Sequence, residues 1–133
     1  MPDESVRMEI RLKNYREVGA VYEEQAVSFL LENGYQIADR NFSCRMGEID
    51  IIAWSPSVQK ERYLVFFEVK YRKNSYAGYP EEAVDFRKQK KIIQTANYYL
   101  MVKNYHTIPP CRFDIIAIEN KEIRHIIDAF QVD

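Results

Sequence analysis

Cysteine is scarce in this chain: Cys44 and Cys111 are the only two among 133 residues. So few thiols build no disulfide framework, and they suit a reducing compartment where both stay free. Long apolar runs are also missing; none approaches the roughly 20 residues needed to cross a bilayer. The opening MPDESVRMEIRLKN has no apolar signal-peptide centre, so the cytoplasm is the expected location and no membrane contact is expected. Net charge is −1, which excludes an indiscriminately basic nucleic-acid coat. Repeats, low-complexity tracts and interdomain linkers are absent as well.

What is present is an ordinary globular mixture, 47% hydrophobic and 29% charged, in a length that suits one domain with a real core. Residues 1–14 are polar and predict a flexible arm, and 15–133 a single domain. Tyr22, Ala26, Phe29 and Leu30 recur at helical spacing within 15–33, and Gly34 supplies the stop. YQIADRNFS (35–43) and GEIDIIAW (47–54) read as strands around a CRM turn, and RYLVFFEVK (62–70) as a third. Pro80-Glu81-Glu82 reads as the start of a helix running to about Asn104. CRFDIIAIE (111–119) and EIRHII are the last strands. The order αβββαββ predicts an α/β fold, a central mixed sheet flanked by helices, because the second helix permits a parallel crossover.

The charges in these strands need a reason. Side chains alternate along a strand, so Glu68 and Lys70 share a face with Leu64 and Phe66. In GEIDIIAW, alternation sends Ile49, Ile51 and Ala53 one way and Glu48, Asp50 and Ile52 the other. With strands 2 and 3 adjacent, Asp50, Glu68 and Lys70 are expected on one face. Two close carboxylates repel unless a cation lies between them, and hard oxygen ligands suit Mg²⁺ or Mn²⁺. A lysine beside such an ion can orient an attacking water or steady a phosphate. On the helical wheel Glu23 falls in the inward arc and Glu24 at its edge, which favours Glu23 as a third acid.

Each residue alone has a plain structural reading: Asp50 as an edge acid, Glu68 and Lys70 as a surface pair, Glu23 as a helix-surface charge. Glu48 reads as a turn-holding acid. Jointly, an Asp on a strand, seventeen residues, then E-x-K closing a buried strand is harder to assign to structure alone. His106 and His125 stand at no spacing that pairs them with Cys44 or Cys111, so no structural zinc site is expected. From Lys70 to Lys91 seven basic residues meet three acidic ones, a surplus that reads either as a solvated face or as a phosphate surface.

YEEQA (22–26), NFSCRMGEIDIIA (41–53), FFEVKYR (66–72), KQKKIIQTA (88–96), CRFDIIAI (111–118) and DAF (128–130) together resemble the YraN-like proteins, a widespread bacterial family. Those proteins often carry glycine directly before the helix glutamate, where this chain has Tyr22. The family in turn resembles the restriction-endonuclease-like superfamily, particularly archaeal Holliday-junction resolvases. That resemblance implies a Mg²⁺- or Mn²⁺-dependent endonuclease acting on DNA, branched or recombination and repair intermediates included. It implies metal ligands at Asp50, Glu68, the Val69 carbonyl and Glu23, with Lys70 orienting water. Gln89 fits the place of a glutamine that related nucleases use on the following helix. Arg72, Lys73, Arg87, Lys88, Lys90 and Lys91 become phosphate contacts, and a homodimer is allowed because cutting two strands needs two sites. The main rival is a nuclease-like module that binds nucleic acid or protein without cutting. A further alternative is an interaction surface built from Tyr71, Tyr76, Tyr79, Tyr98 and Tyr99.

Overall fold

Phe66 and Phe67 are adjacent and both buried, as are Ile115 and Ile116. Successive side chains of a strand point to opposite faces, so these two strands must be covered on both sides. The structure, a computed structural model, describes residues 4–73 and 78–132, with side chains from Glu17 onward, and accounts for that coverage. Helix α1 (Glu4–Glu32) is followed by β1 (Gln36–Cys44), β2 (Gly47–Trp54) and β3 (Leu64–Arg72). A 3₁₀ turn (Pro80–Ala83), α2 (Phe86–Lys103), β4 (Cys111–Glu119) and β5 (Glu122–Phe130) complete the chain. The five strands lie in sequence order, antiparallel except for the parallel β3–β4 pair that α2 connects.

The mixed sheet divides two cores. On one face Ile49, Ile52, Leu64, Phe66 and Phe113 pack against Ile92, Ala96 and Tyr99 of α2. On the other, Ile51, Ala53, Val65, Phe67, Ile116 and Ile118 pack against Ala26, Val27 and Leu30 of α1. The expected helix–sheet–helix layering is therefore present, with the helical wheel of α1 correctly oriented. Among the described residues no helix is long and apolar enough to cross a membrane.

Local chemistry explains the ends of both helices. Gly34 sits at φ +84 after α1, and the N–H groups of Tyr35 and Gly34 donate to the Leu30 and Leu31 carbonyls at 2.9 and 3.1 Å. These paired bonds are the Schellman arrangement, which a glycine makes without strain. The start of α2 departs from expectation. Pro80–Ala83 forms a separate turn, Val84 breaks the run at ψ 73, and Asp85 caps the true helix by accepting from the Lys88 N–H at 2.9 Å. A buried Val84 explains the interruption, since continuing the helix would not deliver that side chain to the α2-side core. Helix α1 begins at Glu4, within the stretch expected as an arm, while residues 1–3 and Tyr76 lie outside the described residues. Of the proposed tyrosine surface, Tyr99 is in fact core, 1% exposed.

One charged cluster in the core is structural. Asp114 on β4 has no exposure, yet accepts from Arg112 Nε and Nη2 (both 2.9 Å) and from the Asp128 N–H (2.9 Å), and lies 2.7 Å from His125 Nε2. Arg112 also donates to the Tyr35 hydroxyl at 2.8 Å. Burial pushes the Asp114 carboxyl up, but hydrogen bonds from His125, Arg112 and the Asp128 N–H outweigh it, and the net shift is downward. A lowered carboxyl stabilises the fold above its unfolded pKa, and that contribution disappears as pH falls. Asp114→Ala, which strands a partly buried guanidinium and takes the acceptor from the Asp128 N–H, should therefore cost about 3 kcal/mol at neutral pH by chemical denaturation. The gap between wild type and variant should close as the pH drops below about 4.

Candidate functional site

The site forms where the sheet comes apart. Pairing between β2 and β3 runs from Trp54–Leu64 to Ile51–Phe67 and stops there, while β2 continues beside β1 to Gly47 and β3 beside β4 to Arg72. Asp50 is the first residue past the last β2–β3 pair. Its Oδ2 accepts the Val69 N–H at 2.8 Å, so a carboxylate stands where the next strand partner would have been. Gly47, at the tip of the β1–β2 hairpin, passes so close to α2 that a Cβ there would lie 3.1 Å from Thr95 Oγ1.

Strict alternation fails here, which corrects the expected facing of this strand. Ile49 packs with Ile52 on the α2 side, whereas Ile51 and Ala53 pack on the α1 side. Asp50 and Glu48 line a cleft of about 360 Å³ on the α1 side with Gly19, Ala20, Tyr22, Glu23, Asn41, Val69 and Tyr71. Thus Asp50 and Ile51 both look toward α1. Across the hairpin Asn41 adopts φ 51, a left-handed conformation that asparagine tolerates, within the same irregular stretch. Local breaks of this kind re-aim a side chain out of the regular pleat.

Glu68 and Lys70 keep the regular alternation and face α2. Glu68 is 5% exposed, and its Oε1 lies 3.4 Å from Lys70 Nζ and 3.5 Å from Lys88 Nζ. The expected single face for Asp50, Glu68 and Lys70 is therefore split, with Asp50 in the fork between the two sides. The fork nevertheless keeps the acids within electrostatic reach. Burial, and next the charge of Glu68, push the Asp50 carboxyl from 3.8 up to about 7, with Glu23 and Glu48 adding and the Val69 N–H opposing. Among the described residues no cation compensates Asp50, whereas Glu68 has two.

Glu23 enters the cleft as the more buried of the adjacent helix acids, 15% exposed against 64% for Glu24. Asn41 Nδ2 donates to it at 2.8 Å, and Arg40 bridges both glutamates at 3.3 and 2.7 Å. Tyr22 stacks on Tyr71 with ring centres 4.1 Å apart, tying α1 to the end of β3 beside the cleft. Sequence reasoning missed Arg40, Asn41 and the Lys88 contact. The turn-like DRN triplet was the only signal for the first two, and the third depends on how α2 lies across the sheet.

The remaining expected residues scatter. Gln89 does not join the cleft; its Nε2 donates to the Val84 carbonyl at 3.0 Å, and it lines a different groove with Phe86 and Phe130. Lys73, Arg87, Lys90 and Lys91 are exposed, Lys88 is partly covered, and Arg72 Nε is buried without a hydrogen-bond partner. Among the described residues no three His, Cys, Asp or Glu side chains gather as ready ligands for one ion.

That geometry does not suit a closed, all-protein cation cage. It does suit Mg²⁺ or Mn²⁺, since Mg²⁺ characteristically uses one or two carboxylates and keeps several waters. The fit rests on Asp50, a partly buried, crowded carboxyl short of positive charge among the described residues, beside the buried Glu68.

The raised Asp50 value has a direct consequence for stability. Its protonated form is favoured in the fold, so the associated stability is full below about 4 and is lost as pH rises through about 7. Asp50→Asn keeps an acceptor for the Val69 N–H and removes the charge. Its thermal midpoint, measured without divalent ions, should exceed that of wild type at pH 8 and approach it at pH 5.

The chain matches the uncharacterised protein family UPF0102 over residues 22–118. It is 47% identical to a UPF0102 protein of Lachnoclostridium phytofermentans, over 88% of this chain and 95% of that one. It is 44% identical to one from Clostridioides difficile (88% and 99% covered) and 43% identical to one from Persephonella marina (84% and 90%). GEID, EVKYR and RFD all fall inside the matched region, and the chain belongs to UPF0102, the YraN-like family that those stretches resemble.

Proposed function

We propose that this protein is a divalent-cation-dependent endonuclease that hydrolyses DNA phosphodiesters, branched repair intermediates included. The observation that carries the reading is the forked sheet. A partly buried Asp50, without a counter-charge among the described residues, stands one strand away from Glu68, with Lys70 on the latter's carboxylate. The D-(x)n-E-x-K order and the αβββαββ architecture agree with the restriction-endonuclease-like resemblance.

Asp50, Glu68 and the Val69 carbonyl would hold the ion, and Glu23 would act from the α1 side through water. Mg²⁺ or Mn²⁺ there supplies Lewis-acid charge to the scissile phosphate. Lys70, partly open to solvent, positions the attacking water and places an ammonium beside the phosphate oxygens, where charge develops. Lys73, Arg87, Lys90 and Lys91 offer exposed positive charge for the flanking backbone, a contact that fixes register without reading sequence. Gln89 has no part in this reading because its side chain is committed to Val84.

A second reading has one observation in its favour: Glu68 is already neutralised by Lys70 and Lys88, as in a binding module that holds DNA and never cuts. Incubation with branched, flapped and single-stranded DNA in Mg²⁺ or Mn²⁺ separates the two. Cutting by wild type should fall about a thousandfold or more in Lys70→Met and in Asp50→Ala, at least about 4 kcal/mol of transition-state stabilisation. Equal cutting by Asp50→Ala would assign the activity elsewhere. Salt-sensitive DNA binding with no cutting would favour the second reading.

A further inference from the structure

We propose that Lys88 is a built-in competitor for the cation site: it holds Glu68 while no divalent ion is bound, yields it when one binds, and then turns to DNA phosphate. The inference rests on the cation-dependent reading above and deepens it by coupling the ion to the DNA.

Glu68 is 5% exposed and an unpaired charge there would be costly, so some cation must accompany it whenever it is ionised. Two ammonium groups meet on the same oxygen, Oε1, one from β3 and one from α2. One carboxylate facing two ammoniums is over-compensated, while Asp50, close enough to be pushed up by Glu68, meets no cation among the described residues. A divalent ion entering the fork corrects the deficit at Asp50 and leaves an excess at Glu68. One lysine must then withdraw.

Geometry selects Lys88. Lys70 is two residues from Glu68 on the same face of the same strand, so its backbone stays beside the carboxylate whichever rotamer it takes. Lys88 reaches across from another element, its side chain is 36% exposed, and its backbone is fixed separately by the Asp85 cap. Its side chain can swing while the helix stays in place. The neighbouring exposed bases Arg87, Lys90 and Lys91 lie on the same helical turns, so the outward position joins the surface offered to phosphate. Phosphate that draws Lys88 outward frees Glu68 for the ion, and by linkage the ion favours phosphate binding equally.

The test is Mn²⁺ binding by the full chain, followed by electron paramagnetic resonance, with and without a short DNA hairpin. Lys88→Met should bind Mn²⁺ roughly fivefold or more tightly than wild type without DNA, since a like charge about 4 Å from the site has gone. Lys88→Arg should return to the wild-type affinity, and Lys60→Met, in the exposed β2–β3 loop and with the same net charge as Lys88→Met, should leave it unchanged. DNA should tighten Mn²⁺ binding to wild type and lose that effect in Lys88→Met. Lys88→Gln serves in place of Lys88→Met if the latter does not fold. Equal Mn²⁺ affinities for wild type, Lys88→Met and Lys60→Met would overturn the competitor role and leave the endonuclease reading standing. Equal tightening by both methionine variants would reduce Lys88 to one surface charge among several and overturn it too. Absence of Mn²⁺ binding to wild type at millimolar concentration would sink both.

Discussion

The hydrogen bond from the Val69 N–H to Asp50 Oδ2 holds the point where the sheet divides. Upstream of it β2 and β3 are regularly paired and buried on both faces; downstream they follow different partners. A backbone N–H exposed by a parting strand needs an acceptor, and a buried carboxylate needs a donor. Each answers the other at this position. Because the carboxylate occupies the gap rather than a face, it is within electrostatic reach of Glu68 on one side and of Glu23 and Glu48 on the other. The cleft, the raised Asp50 pKa and the proximity of acids from different layers all descend from that one substitution of a side-chain acceptor for a main-chain one.

Asp114 provides the internal contrast. It is the more buried acid, yet four hydrogen-bonding contacts, two of them from a guanidinium, hold its carboxyl below the ordinary range. Asp50 accepts one main-chain bond among the described residues and is surrounded by acids, so its carboxyl moves the other way. Both sit in strands of the same sheet. Burial alone does not separate a structural acid from a chemical one; the charge left uncompensated does. The RFD stretch thus earns its place through the core, and GEID through the fork.

Much of this was legible in the residues. Apolar runs and turn residues located every strand, and the wheel oriented α1 and chose Glu23 over Glu24; the third strand, expected over 62–70 and closing on E-x-K, runs instead from Leu64 to Arg72. Three features were not legible, for physical reasons. The break at Asp50–Ile51 depends on where β2 leaves β3, a tertiary fact that period-two counting assumes away. Pro80 and its acids look like a helix start, but the buried Val84 and the Asp85 cap move that start to Phe86. The contacts Arg40–Glu23 and Lys88–Glu68 join residues seventeen and twenty positions apart, and no local pattern specifies such pairs. Gln89 followed from resemblance alone, and its position on α2 carries it toward Val84 instead.

A net charge of −1 looks poorly matched to a DNA-binding surface until its distribution is considered. Glu23, Glu48 and Asp50 concentrate negative charge in a cleft on one side of the sheet, while α2 and the end of β3 carry exposed bases on the other. At physiological ionic strength the field of a charge fades within roughly 8 Å. A phosphate approaching α2 therefore responds to Arg87, Lys90 and Lys91 more than to the total. The acids in the cleft repel a phosphate for as long as they lack a counter-ion. Divalent charge in the fork would remove that repulsion at the place where the backbone must come closest. If the chain acts as proposed, the cation would on this electrostatic ground be a condition for close DNA approach before any chemical step, and a near-neutral chain would need no further basic residues to be selective for the loaded state.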